Sequence, residues 1–344
     1  MSPLFIKSNY LIVSRAAAGI YLILQCEGFS DRKVLVPASL CYAAIYPILY
    51  SGNHPVFCDA DPEDGNISEE IFMNAVRNDS IDAVILPHMY GNPVQDIDVI
   101  ADICKARGIL LIEDCASSMG SLLKDGSECG KYGDYSIFST GYSKTVDLGS
   151  GGIICSDRPL ERLKELYLTL PEQNERGTCN EAFFSKLYRL IRNSKETLSE
   201  TIWPSLIPAV REIFLHREAG IEDVVTEGIK DLDRIIGERK HNYRLYDSLI
   251  EESDSIRKYP LHEGAVPWRY NLFVESNKHR QVIDRLLQKT VPVSDWYPNV
   301  TPLFGSKLPF PGVDRMESTL INFPLLIKEE EIVRIAEAVN GLKE

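Results

Sequence analysis

Apolar residues along the first third of the chain switch repeatedly between two periods. The segments 17–28, 41–52, 68–78 and 96–108 space their apolar positions as amphipathic or buried helices do. Gly28 and Gly108 close two of them, Pro47 predicts a kink in the second, and Ser68 followed by two glutamates predicts a capped start for the third. Between them lie short, nearly solid apolar runs at 33–39, 54–61, 81–91 and 109–115, which predict strands. Further on, 227–252 reads as one long helix that tolerates Gly237, 267–276 as a strand, and 278–290 and 328–342 as amphipathic helices.

Solid apolar strands alternating with helices predict an α/β fold, a mainly parallel sheet covered on both faces. In such sheets ligands collect beyond the carboxyl ends of the strands, and Asp114 ends one of these runs. The stretch 181–217 breaks the rhythm with aromatic and basic residues at helical spacing. Two readings stand for it: a helical hairpin bridging two domains, or a lid or membrane-surface contact. The division is expected near residues 217–226, giving a large domain over 1–217 and a smaller α+β domain over 218–344.

Composition narrows the class. A formal net charge of −13 over 344 residues, with no basic stripe, argues against nucleic acid as a partner. No apolar stretch has the length of a membrane span, and the first residues lack the pattern of a secretory signal. The eight cysteines are scattered, with neither CxxC pairs nor zinc-ligand spacing, so reduced thiols, a cytoplasmic location and no metal are expected.

The chemistry concentrates in "YSIFSTGYSKTVDLGSGGIICSD", residues 135–157. Lys144 sits between small, turn-forming residues and a glycine cluster that precedes an apolar strand. A lysine amine condenses with an aldehyde only in its neutral form, and burial lowers its pKa from about 10.4. Pyridoxal phosphate is the commonest aldehyde cofactor that needs such an amine, and an aspartate normally holds its ring nitrogen protonated. Asp114 is placed for that role, and the Ser139 hydroxyl for holding phosphate.

These residues stand within a longer pattern. The chain reads "VLVPASLCYAAIYPILYSGNHPVFCDAD", then "LPHMYGNP", then "IEDCASSMGS", then "GDYSIFSTGYSKTVDLGSGGIICSD". In order and spacing, over roughly residues 10–157, it resembles the DegT/StrS family of pyridoxal-phosphate-dependent sugar aminotransferases. The resemblance implies PLP fold type I, similar to aspartate aminotransferase, acting as a homodimer with shared active sites. It implies Lys144 as the lysine that condenses with the cofactor, Asp114 on the pyridine nitrogen, Ser139 on the phosphate and Ser117 near the phenolic oxygen.

Departures from the family pattern are equally specific. "VSRAAAG" replaces the usual "SGT.AL", leaving Ser14, Ala16 and Ala17 to bind phosphate through backbone amides, with Arg15 either a surface cation or an added ligand. Cys41, with Tyr42 adjacent, takes the place of the aromatic residue that stacks on the cofactor ring. The usual "GYN.R" is not recognisable, and 170–182 stands near its place. His88 is either a structural histidine of the "H.YG" turn or a substrate contact, and Tyr142 either faces substrate or packs. The implied reaction moves an amino group from an amino acid, glutamate, to a keto sugar, nucleotide-linked, in aminosugar or surface-polysaccharide synthesis. The alternatives are a pyridoxal-phosphate sugar dehydratase and a non-catalytic binding subunit.

Overall fold

A computed structural model describes residues 6–173, 183–184, 186, 211–306 and 308–342. Strands β1 (Asn9–Val13), β2 (Lys33–Pro37), β3 (His54–Cys58), β4 (Ala83–Pro87), β5 (Leu110–Asp114), β6 (Tyr135–Ser139) and β7 (Gly152–Ser156) form one sheet in the order β1-β7-β6-β5-β4-β2-β3. From β6 to β3 every neighbouring pair is parallel. Only β7 opposes its neighbours, pairing antiparallel with β6 and with β1. The mainly parallel sheet was legible in the solid apolar runs. The edge strand β1, more polar and exposed at its start, was not.

Helices α1 (Ala16–Cys26), α2 (Tyr42–Tyr50), α3 (Glu69–Asn78) and α4 (Ile97–Arg107) cover the two faces in pairs. Period-two alternation sorts the strand side chains. Val34, Val36, Ile112, Ile137 and Ile154 pack with α1 and α2, whereas Leu35, Val84, Leu111, Phe138 and Ile153 pack with α3 and α4. Local signals set the helix ends as expected. Ser68 Oγ accepts the Ile71 N–H at 3.3 Å, and Gly108 takes the left-handed φ of 67° that stops α4.

After α5 (Glu161–Leu168), the described chain resumes at residue 211 apart from positions 183, 184 and 186. Most of 170–182 and of 181–217 therefore lies outside the described residues. The long helix expected over 227–252 is found as α7 (Leu232–Leu249), and its expected start falls on the end of α6 (Ile221–Gly228) and a 3₁₀ turn at Ile229–Asp231. Ile221, Val225, Ile229 and Leu232 keep the spacing of one helical face across this turn, and all four join the core on the α3/α4 face. Farther along α7, Tyr246 enters a separate core with β8 (Ile256–Lys258), β9 (Tyr270–Val274) and β10 (Leu320–Phe323), an antiparallel sheet in the order β10-β9-β8. Helices α8 (His279–Gln288), α9 (Pro311–Thr319) and α10 (Glu329–Asn340) complete the described chain. No described helix is long and apolar enough to cross a membrane.

One buried polar lock fixes the sheet beneath the site. Glu113, fully buried, accepts hydrogen bonds from the backbone N–H groups of Gly130 and Gly133, and His88 Nε2 lies 3.0 Å from its Oε2. The Val94 N–H donates to His88 Nδ1 at 2.9 Å, so that nitrogen is unprotonated and Nε2 carries the hydrogen given to Glu113. Burial opposes the carboxylate charge, but His88 and the two amides hold its pKa below the ordinary value. His88 is thus the structural histidine of its turn. It does not line the cavity described below, which corrects its assignment as a substrate contact.

Glu113→Ala should lower the unfolding free energy by about 3 kcal/mol or more, because it strands three buried donors. Urea titration checks this. A depressed folded-state pKa gives stability that is complete above the unfolded value of about 4.3 and is lost as pH falls through the folded value, so the gap between wild type and variant should close in acid.

Candidate active site

Alternation along β5 sends its two terminal acids to opposite faces. Glu113 joins the lock, while Asp114 points to the α1/α2 side and lines a cavity of about 370 Å³. That volume falls within the roughly 300–1,000 Å³ of small-molecule sites. Ser139, last residue of the next strand, lines the same cavity, as do Lys144 and Tyr142 from the loop between β6 and β7. Arg15, Ala16 and Ala17 contribute the start of α1, and Cys41 and Tyr42 the start of α2. Sites expected from distant parts of the sequence therefore converge.

The cavity reaches the start of α1 because of two glycines. Gly151 adopts φ +100°, and a Cβ there would lie 2.1 Å from Thr140 Oγ1. A Cβ on Gly152 would lie 2.4 Å from the Ala16 backbone nitrogen. Only glycine lets β7 run this close to the helix start, where the first amides have no intrahelical acceptor. Ser14 differs from expectation: its N–H donates to Tyr167 Oη at 3.0 Å and its Oγ to the His216 carbonyl at 2.5 Å, so neither faces a ligand. Phe184, Ile213 and Phe214 also line the cavity, with both phenyl rings packed on Tyr42.

Lys144 Nζ has two long contacts, Ser117 Oγ and Tyr297 Oη, each at 3.5 Å. Asp114 accepts the Ala116 N–H on Oδ1 at 2.9 Å, and its Oδ2 has no hydrogen-bond partner among the described residues. Both groups keep capacity for something between them. Ser139 Oγ accepts the Gly141 N–H at 3.2 Å, leaving its own hydrogen to donate. Ser117 stands beside Nζ but outside the cavity lining, and Tyr142 stands at the lip, 83% exposed.

The lysine backbone is gripped from the α7 side. Arg239, nearly fully buried, donates Nη2 to the Lys144 carbonyl at 2.8 Å, Nε to that of Thr145 at 3.2 Å and Nη1 to that of Trp268 at 2.7 Å. Burial, with Arg269 adding repulsion, lowers its pKa to about 10. Trp268 Nε1 donates to the Ser143 carbonyl at 2.7 Å. Sequence reasoning missed Arg239, Trp268 and Tyr297, since nothing in a helical arginine or in "WYP" at 296–298 announces proximity to a lysine 95 or more positions away.

The ionisation of the lysine departs from expectation. Burial does favour the neutral amine, but Tyr297, Cys41 and Asp114 together outweigh it and raise its pKa. For Asp114, burial raises the pKa, and Lys144 and the Ala116 amide only partly offset that. The Cys41 thiol is likewise pushed up by burial against the pull of Lys144. The lysine expected to be depressed is instead held above its ordinary pKa, with Tyr297 the largest of the three influences that oppose burial.

Residues 5–182 match the sequence profile of the DegT/DnrJ/EryC1/StrS aminotransferase family. Over 146 residues the chain is 34% identical to GDP-perosamine synthase of Escherichia coli O157:H7, an alignment covering 42% of this chain and only 39% of that enzyme. It is 25% identical over 312 residues to dTDP-4-dehydro-2,3,6-trideoxy-D-glucose 4-aminotransferase of Saccharopolyspora spinosa, covering 88% and 76% of the two chains. The fold superposes on the aminotransferase TlmJ of Streptoalloteichus hindustanus with a TM-score of 0.76 at 21% identity, covering 96% of this chain and 85% of that one. A sugar dehydratase is also among the solved structures that share the fold.

Because only the neutral amine attacks an aldehyde, borohydride trapping of pyridoxal phosphate on Lys144 should accelerate about tenfold per pH unit between about pH 7 and 9. Asp114→Asn removes one of the charges that hold the amine protonated and should shift this profile to lower pH. A flat profile in the wild type would contradict the raised lysine pKa.

Proposed function

Since the chain belongs to the DegT/DnrJ/EryC1/StrS aminotransferase family, whose cofactor is pyridoxal 5'-phosphate, we propose that it moves an amino group from an amino acid, glutamate, to a keto sugar carried on a nucleotide. One observation carries this reading: Lys144 and Asp114 line one cavity with unspent hydrogen-bonding capacity on both. The cofactor supplies an aldehyde that condenses with an amine and a cationic ring that draws electrons from the adjacent bond.

The residues present fit such a group. Asp114 Oδ2 has room to accept a ring N–H, and the buried carboxylate becomes more stable once a cation meets it. Ser139 Oγ, the leading amides of α1 at Ala16 and Ala17, and the Arg15 side chain form the wall suited to a phosphate. The Cys41 thiol and Tyr42 furnish the apolar wall where relatives of the family place an aromatic ring. Phe184 and Phe214 shield that side from water.

During turnover Lys144 Nζ serves as base and then acid. It would take the proton from the donor's α-carbon and deliver it, across the shared nitrogen, to the carbon that the cofactor's aldehyde contributes. Ser117 Oγ and Tyr297 Oη stand ready to hold the freed amine in reach by modest closing of their 3.5 Å contacts. Arg239, by fixing the Lys144 and Thr145 carbonyls, limits how far the loop can drift between those two tasks. The exposed Tyr142 at the lip accords with a homodimer in which a second copy completes the site, and the free thiols of the seven described cysteines accord with a cytoplasmic enzyme.

Purified protein should be yellow, should bleach with borohydride and should carry the label on Lys144. Lys144→Ala should lower turnover by about 10²- to 10⁴-fold, and Asp114→Asn by about 10²- to 10³-fold. A keto sugar nucleotide incubated with glutamate should yield an amino sugar and 2-oxoglutarate. A nitrogen-free product with glutamate unconsumed would point to a dehydratase, and colourless protein indifferent to added cofactor would point to a binding subunit.

A further inference from the structure

Arg269 differs from several other arginines of the chain. Arg239 spends its guanidinium on backbone carbonyls, and Arg158, Arg257 and Arg315 pair with carboxylates. Arg269 is half-buried and, in a chain with 50 acidic residues, forms no salt bridge among the described residues. Its Nη1 donates to Ser294 Oγ at 2.8 Å and its Nη2 to Ser143 Oγ at 2.7 Å. Two of its five N–H donors are thus used, both on neutral hydroxyls. The guanidinium lies 4.7 Å from the centroid of the Trp268 ring, Trp268 stacks on Tyr297 at 5.3 Å, and Tyr297 Oη is 3.5 Å from Lys144 Nζ. Ser143 is the residue immediately before Lys144.

A cation set over an indole and held by two serine hydroxyls is pre-organised for a planar anion. Burial of the guanidinium is unfavourable and holds its pKa below the ordinary value, with Tyr297 and Tyr142 offsetting this only in part, so an incoming carboxylate relieves a standing cost. Geometry selects the anion. In an α-amino acid the amino group and the carboxylate share one carbon, so a receptor for the carboxylate must stand beside the amine that the donor displaces. The diphosphate of a nucleotide sugar is separated from a ring ketone by much of the sugar and has no such requirement. We propose that Arg269 is the docking point for the α-carboxylate of the amino donor. Asn322 supports it through Ser294: Ser294 Oγ donates to Asn322 Oδ1 while accepting from Arg269. The assignment rests on the aminotransferase reading, and it adds the feature a donor must possess: a carboxylate on the carbon that bears the nitrogen.

Two measurements separate the failure of this inference from the failure of that reading. In the first, the chain free of cofactor is titrated with maleate while tryptophan fluorescence is followed, since Trp268 stacks on the guanidinium. The wild type should respond and its uncharged diamide should not. Arg269→Gln should raise the half-saturating concentration about tenfold or more, and Arg269→Lys should restore part of it. In the second, the cofactor-loaded protein is titrated with L-glutamate and, separately, with methylamine, and the absorbance of the lysine-bound cofactor is recorded. Arg269→Gln should weaken the response to glutamate about tenfold or more and leave the response to methylamine unchanged. Retained borohydride labelling of Lys144 in the variant shows that the site is intact. No labelling in the wild type would remove the aminotransferase reading while the maleate titration still decides Arg269. Equal maleate and glutamate titrations in wild type and Gln variant, or a wild-type response to a nucleoside diphosphate but not to maleate, would overturn the assignment.

Discussion

A carboxylate and an amine held on one buried cavity constrain everything else in this molecule. Either charge alone would be costly to bury. Together they steady each other: Asp114 helps raise the lysine pKa, and Lys144 opposes the rise that burial imposes on Asp114. Their supports are of different kinds. Asp114 ends a central strand paired with parallel neighbours on both sides, while Lys144 rides on a loop between β6 and β7. The loop is made rigid from outside, by Arg239 on its carbonyls and by the Trp268 indole on Ser143.

The same economy of position appears in the strands around the site. Two adjacent acids in "ED" have unrelated tasks because a strand turns successive side chains to opposite faces. Glu113 ties β5 to the His88 turn and to the loop at Gly130–Gly133, and Asp114 faces the cavity. The lock beneath and the site above are therefore one residue apart, so the polar cluster that fixes the end of β5 also fixes the direction of the Asp114 carboxylate.

Departures from the family pattern are accommodated at backbone level. With no serine or threonine side chain presented at the start of α1, the helix amides remain, brought to the cavity by the close approach of Gly151 and Gly152. Ser14, which looked available as a donor, is bound to Tyr167 and His216 and anchors the helix start instead. At the start of α2 the cysteine presents a thiol whose pKa burial raises against the pull of Lys144.

From the sequence, the alternation of periods determined the sheet and its covering helices, because solid apolar strands have few other ways to be buried. It also brought Lys144, Asp114 and Ser139 forward as candidates for one site, because residue type, order and spacing are local properties, and all three line one cavity. The family match agrees with the expected fold and cofactor. Tertiary structure alone decided what surrounds them. The raised lysine pKa followed chiefly from Tyr297, 153 positions away. Arg239 and Arg269 read alike as basic residues in a chain. One is spent on carbonyls and the other has no carboxylate partner among the described residues, because long-range packing, which no window of sequence contains, places different partners around each.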